Sequence, residues 1–238
     1  MTASSFVTAS PVAASSPVTV RCQGILFDMD GILISSLGSV ERSWTKWALM
    51  RGIDPEHACR IAHGRRAVET AAMLRPDLDS EAELRIIEEI EIADGEGLSV
   101  LPGVLDLLAE LPAHRWTVVT SATRRLARER LALAGIPVPA QFISADSVTQ
   151  GKPHPAPFLA GAALLNLDPK DCVVIEDSPS GASAGRAAGC TVVATTFSHS
   201  SEELAVAHYR IKDLTGVEAS TLPGVEGLQL KFTPSSIG

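Results

Sequence analysis

Two pairs of carboxylates stand out, each closing an apolar run. Asp28 and Asp30 end the run in GILFDMDGIL (24–33), with Met29 between them and Gly31 after; Glu176 and Asp177 end CVVIED (172–177). A carboxylate is costly to remove from water unless something compensates its charge. Along a strand neighbouring side chains point to opposite faces, so acids at i and i+2 point the same way. Convergent carboxylates repel unless a proton or a cation lies between them. Mg²⁺ suits such a set, because it takes oxygen ligands and often bridges to substrate phosphates. Each pair also has a plainer reading. Asp28 and Asp30 could be solvated acids at a strand end, with Asp30 in a turn. Asp177, Ser178 or Ser180 could cap the next helix. Capping explains one acid, not four carboxylates on two strand ends, so a hard-cation site is the economical reading of both pairs together.

Other polar residues stand at comparable positions. Lys152 lies in GKPHPAP, where Gly151, Pro153 and Pro155 make a rigid loop. An ammonium there could neutralise a phosphate and damp repulsion among the acids; the alternative is an ordinary surface lysine. GxxxxGK[ST] is absent, so this is no P-loop, and His154 between prolines reads as structural. Thr120, Ser121 and Thr123 follow WTVV. Hydroxyls and backbone N–H groups at a helix start make an anion site, and the same groups cap the helix. No G-x-S-x-G elbow surrounds Ser121, which argues against a serine-hydrolase nucleophile. In AHGRRAVE (62–69), His63, Arg65 and Arg66 could reach polar groups of a substrate, or could simply begin a solvated helix.

These residues must be positioned by a scaffold. Ile25–Phe27, Trp116–Thr120, Cys172–Ile175 and Thr191–Ala194 are short apolar runs, each followed by a helix-like segment. Continuous apolar strands alternating with helices predict a parallel sheet covered on both faces, and in such sheets ligands bind beyond the carboxyl ends of the strands. Between the first two runs, residues 37–100 carry helical periodicity and no convincing strand, with Trp44 and Trp47 as candidate core. LPGV (101–104) marks the return. In GASAGRAAG (181–189), Gly181 and Gly185 would allow close approach to the sheet, and Gly189 would sit at C′. The expected organisation is a flexible tail over 1–20, a core of 21–36 and 102–225, a helical insert over 37–101, and a C-terminal strand and tail over 226–238, with the strand in GLQLKF.

The chain has 238 residues, is 45% hydrophobic and carries a formal net charge of −8. No stripe of Lys and Arg points to nucleic acid, and no apolar run approaches a membrane span. The N-terminus lacks the basic and apolar regions of a signal peptide. Cys22, Cys59, Cys172 and Cys190 show no metal spacing. Cys22 and Cys172 stand at the starts of apolar strand-like runs and Cys190 just before one, and all four read as reduced and structural, which fits the cytoplasm. A monomer is the default expectation.

DMDG, VVTSAT, GKPHP and VVIEDSPSG occur in the order that resembles the haloacid-dehalogenase-like superfamily, over about residues 22–215. Within it, DGILISS, Trp44, HGRR, TSATR and EDSPSGASAGRAAGC resemble the branch of 2-deoxyglucose-6-phosphate and glycerol-3-phosphate phosphatases. The resemblance implies an α/β fold, with a Rossmann-like doubly wound parallel sheet and an inserted α-helical cap domain. It implies hydrolysis of a small phosphorylated sugar or polyol. Asp28 would be the nucleophile and form an aspartyl-phosphate. Asp30 would be the acid and base, and Ser121 and Lys152 would hold the phosphoryl group. Mg²⁺ would sit on Asp28, Asp30 through its carbonyl, Asp177 and Glu176. The alternatives are a phosphosugar mutase and a catalytically silent binding protein on the same fold. The mutase branch carries a His near the position of Val40, and its absence argues for hydrolysis. Asp30 argues against dehalogenation, because dehalogenases of the superfamily lack that acid.

Overall fold

A computed structural model describes residues 16–62, 65–222 and 227–235. In chain order the strands are β1 (Val18–Cys22), β2 (Gly24–Phe27), β3 (Ile34–Ser35), β4 (Ser99–Val100), β5 (Trp116–Val118), β6 (Cys172–Glu176), β7 (Thr191–Thr195), β8 (Tyr209–Ile211), β9 (Glu218–Thr221) and β10 (Leu228–Phe232). The α-helices are α1 (Leu37–Arg51), α2 (Pro55–Ala62), α3 (Ala67–Leu74), α4 (Ser80–Ala93), α5 (Val104–Glu110), α6 (Arg124–Leu133), α7 (Ala156–Leu164) and α8 (Pro179–Ala187).

The central sheet runs β5-β2-β6-β7-β8, and every neighbouring pair in it is parallel. Its strands are apolar throughout because both faces are covered. Ile25 and Phe27 join Val118, Val173, Ile175 and Val193 in one buried cluster; Leu26 joins Val119, Val174, Val192 and Ala194 in another. That alternation is the pleat of a sheet sandwiched between two cores. Truncating one of these residues, as in Leu26→Ala, removes about 2–5 kcal/mol. The approach of the helices depends on small residues. A Cβ on Gly161 of α7 would lie 2.7 Å from Val119, and one on Gly185 of α8 would lie 2.9 Å from Val192. Gly189 follows α8 with φ +89° and donates its N–H to Arg186 O, as a C′ residue does.

The segment between β3 and β4 holds α1 to α4. Trp44 and Trp47, edge to face at 5.3 Å, anchor its own cluster with Ala48, Ala58, Ala62, Ala71 and Ile87. Trp47 Nε1 donates to Glu83 Oε2 at 2.7 Å, and Arg51 pairs with the same carboxylate, which draws its pKa below the usual range. The buried indole N–H thus has a charged acceptor, and the buried acid has its counter-ion.

Three expectations need correction. Val18–Val20, expected in a flexible tail, lie in β1, where alternating side chains pair antiparallel with β10, and β10 pairs in turn with β9. Residues 1–15 lie outside the described residues. Ser99 and Val100, expected in a helical stretch, form β4, antiparallel to β3, which closes the two ends of the insert together. Cys22 ends a strand rather than starting one. GLQLKF does form a strand, β10. All four cysteines are free, and burial pushes the thiols of Cys22 and Cys190 up to about 12. No helix among the described residues is long and apolar enough to cross a membrane.

Candidate active site

Asp28 follows β2 immediately, and its N–H donates to Ile175 O of β6. Asp177 follows β6; the parallel register pairs Phe27 with Ile175, so Asp28 stands level with Glu176 and one residue short of Asp177. Asp28, Glu176 and Asp177 are all buried, and each offers an oxygen within 4.8 Å of the others. Lys152 reaches in from the loop before α7. Its Nζ donates to Asp28 Oδ1 and to Glu176 Oε1, both at 2.7 Å, and lies 5.1 Å over the Phe158 ring. Burial opposes charge on Lys152, but Asp28 and Glu176 outweigh it and hold the ammonium above the usual lysine range. It is therefore no surface lysine.

The glycines here leave room for carboxylates. Gly31 has φ +82°, and a Cβ on it would lie 2.0 Å from Asp177 Oδ2. A Cβ on Gly181 would lie 1.6 Å from Glu176 Oε1. Glu176 Oε2 accepts the backbone N–H groups of Asp177 and Ser178 and the Ser178 hydroxyl, so it also organises the entry to α8. Ser178 is the N-cap, accepting from Gly181 N. The capping alternative thus holds for Ser178 and leaves Asp177 free of that duty. Asp177 instead accepts the Ser198 hydroxyl from the loop after β7.

Burial pushes the Asp28 carboxyl up to about 7, with Glu176 and Asp30 adding to the effect and Lys152 opposing it. Asp177 is raised for the same reasons, burial first and then Glu176 and Asp28. Among the described residues these three buried acids thus share one ammonium, which bonds to two of them, Asp28 and Glu176. An all-oxygen donor set with surplus negative charge fits a hard divalent cation.

Above this floor is a cavity of about 270 Å³. Asp30 and Ser121 line it with Asp28, Lys152, Glu176 and Asp177, while Met29 is fully buried, so the i and i+2 acids do share a side. Thr120 accepts from Ala122 N, and Thr123 caps α6 by accepting from Leu126 N. The Ser121 hydroxyl has no partner among the described residues. Val40, Trp44, Arg65, Val68, Leu84 and Glu88 from α1, α3, α4 and the loop before α3 form the roof. Arg65 is exposed, and among the described residues its side chain reaches only Met73 Sδ, at 3.8 Å. Arg66 is a tether: it pairs with Glu69 and donates to the carbonyls of Ala145 and Thr149, tying the insert to the loop before Lys152. His63 lies outside the described residues.

Sequence reading missed Arg130, Glu91 and Ser198. Arg130 of α6, only 3% exposed, donates to Asp30 Oδ1 at 2.9 Å and to Glu91 Oε1 of α4 at 3.4 Å. Both carried a signal. Arg130 sits on the stripe of Leu126, Ala127 and Leu131, and Glu91 is four residues from Ile87 on the buried stripe of α4. A charge on an apolar stripe calls for a partner. Ser198 carried none.

A family model for haloacid dehalogenase-like hydrolases matches residues 22–189. The chain belongs to this family. It is 42% identical over 180 residues to hexitol phosphatase A of Escherichia coli, covering 74% of this chain and 83% of that one. It is 37% identical over 195 residues to glycerol-1-phosphate phosphohydrolase 2 of Saccharomyces cerevisiae, covering 76% and 78%. Among solved structures, CbbY from Rhodobacter sphaeroides in complex with phosphate shares the fold, with a TM-score of 0.70 at 24% identity over 82% of this chain and 96% of that one.

Proposed function

We propose that this hydrolase is a Mg²⁺-dependent phosphatase of small sugar or polyol phosphates, working through an aspartyl-phosphate on Asp28. The observation that carries the reading is the buried floor of Asp28, Glu176 and Asp177 around a single Lys152. The relatives named for hexitol and glycerol-1-phosphate hydrolysis support the substrate class.

Lys152 holds Asp28 Oδ1 and so fixes the nucleophile's orientation, and together with Ser121 it binds the non-bridging phosphoryl oxygens. Asp28 attacks phosphorus, and the bond from phosphorus to the alcohol oxygen breaks. Asp30 gives that oxygen its proton. The alcohol leaves, and Asp30, now ionised, takes a proton from water. The hydroxide attacks phosphorus, the bond from phosphorus to Asp28 breaks, and inorganic phosphate is released. Asp28, the Asp30 carbonyl, Asp177 and Glu176 would hold the Mg²⁺, which when bound offsets the charge of acids and phosphate that would otherwise repel. Phosphoryl transfer is accelerated mainly by such positioning and charge stabilisation. The helical insert serves as a cap that excludes water and contacts the alcohol portion, through Arg65 and, where substrate reaches them, His63 and Arg66. Val40 on the cavity wall has no group to move a proton, which favours release of phosphate over its transfer within a sugar.

The test is phosphate release from a panel of hexitol, glycerol and hexose phosphates, with Mg²⁺ and then with EDTA. Release that depends on Mg²⁺ is expected. No release from any member by folded protein with Mg²⁺ would overturn the reading.

A further inference from the structure

Arg130 poses a problem of energetics. A guanidinium buried with two acids is costly to desolvate, and apolar residues of similar volume often serve a fold as well or better. Its satisfaction is also incomplete. Nη1 donates to Asp30 and Nη2 to Glu91, but Nε is buried with no partner among the described residues. Buried donors left in this way call for an explanation beyond packing. The position supplies one. Asp30 stands in the turn after β2, where its side chain keeps 28% of its exposure, and Arg130 contacts only Oδ1. Glu91 comes from α4, the last helix of the insert, and lines the cavity together with Asp30. One guanidinium therefore spans the two parts of the chain that enclose the cavity, with the carboxylate of Asp30 in its grip.

We propose that Arg130 is a positioning residue, which aims Asp30 at the leaving oxygen and at the hydrolytic water, and is itself held by Glu91 so that Asp30 is set only while the insert is seated. The proposal rests on the reading of Asp30 as the acid and base. Holding Oδ1 leaves Oδ2 as the oxygen that carries the proton into the cavity. A fork that grips two acids through separate nitrogens does this better than a lysine, whose single ammonium has no fixed geometry.

Leaving-group chemistry separates positioning from structure. A sugar or polyol would be a poor leaving group as its alkoxide and needs Asp30 to protonate its oxygen as the bond to phosphorus breaks, so that it leaves as the alcohol; nitrophenolate leaves without a proton. Arg130→Met leaves Glu91 buried and unpaired, so the double variant Arg130→Met/Glu91→Gln is made beside it to keep the fold, which circular dichroism checks. With either folded variant, kcat for the best sugar or polyol phosphate should fall on the order of ten- to a hundred-fold, a fraction of full acid–base assistance, with KM little changed. The first turnover of nitrophenol from p-nitrophenyl phosphate should keep its rate, followed by a slow steady state as water attack on the aspartyl-phosphate lags. Glu91→Gln alone should show the same pattern more weakly, and Asp30→Asn more strongly. Unchanged kcat in folded Arg130 variants, or an equal loss in the first turnover of both ester types, overturns the role of Arg130. If Asp30→Asn itself treats the two esters alike, the reading of Asp30 fails, and the proposal fails with it.

Discussion

The floor and the roof of the cavity are built differently. On the floor, Asp28, Lys152, Glu176 and Asp177 are each at most 8% exposed, and each is held by another charged group, a backbone N–H or a hydroxyl. A side chain with several partners has one place to be. On the roof, Val40, Val68 and Leu84 are half-buried, Arg65 is exposed, and of the cationic pair only Arg66 is tied down. The roof offers shape and a few adaptable polar groups. The contrast matches the two tasks of a phosphatase. The phosphoryl group is the same in every substrate and calls for a rigid, charged cradle, whereas the alcohol varies and is read by contacts worth about 1–3 kcal/mol each.

That contrast can be broken at the floor first. Asp28→Asn should abolish turnover while circular dichroism and the melting transition stay intact, because the shape is nearly preserved and the nucleophile is gone. Gly31→Ala comes next. Its Cβ would meet Asp177 Oδ2 and its φ of +82° disfavours any side chain. We expect a loss of about 1–3 kcal/mol in stability and a clear rise in the Mg²⁺ concentration needed for half-maximal activity. On the roof, Val68→Ala should shift the ratio of kcat/KM between a hexitol phosphate and glycerol phosphate by roughly ten-fold, about 1.4 kcal/mol, and leave Mg²⁺ dependence alone.

The smallest expected effect lies on the seam between floor and roof. Burial pushes Glu91 up to about 7 against an ordinary value of 4.5, with Arg130 opposing and Asp30 adding to the rise. Between these values the folded chain keeps a proton that the unfolded chain has lost, so stability falls as pH rises through this window and levels off above it. Glu91→Gln should flatten that slope in urea denaturation midpoints measured across the window.

The same contrast explains what was legible in the sequence. Strands buried on both faces are continuous apolar runs, so β2, β5, β6 and β7 could be read directly. The acids that end β2 and β6 violate that pattern, which made the floor visible too. Lys152 was found through its glycine and proline neighbours, although its burial was not foreseeable. β8 is three residues and β4 two, too short to establish a period, and β1 alternates apolar with polar like many exposed segments. Arg130 and Glu91 were hidden because a helix with mixed charge reads as solvated unless its apolar stripe is traced first. The roof is the least legible part, since Arg65 and Arg66 are neighbours of one type and only the fold separates the tether, Arg66, from Arg65, which among the described residues touches only Met73 Sδ.

The central claim is that Asp28 takes the phosphoryl group within this acid-rich floor. Its most direct test is rapid acid quench of the protein with substrate and Mg²⁺, followed by mass spectrometry of the peptide carrying Asp28. The account predicts a phosphoryl adduct on Asp28 that forms before phosphate is released, is cleaved by hydroxylamine, and is absent from Asp28→Asn. Turnover at an undiminished rate in Asp28→Asn, with no adduct in either protein, would contradict it.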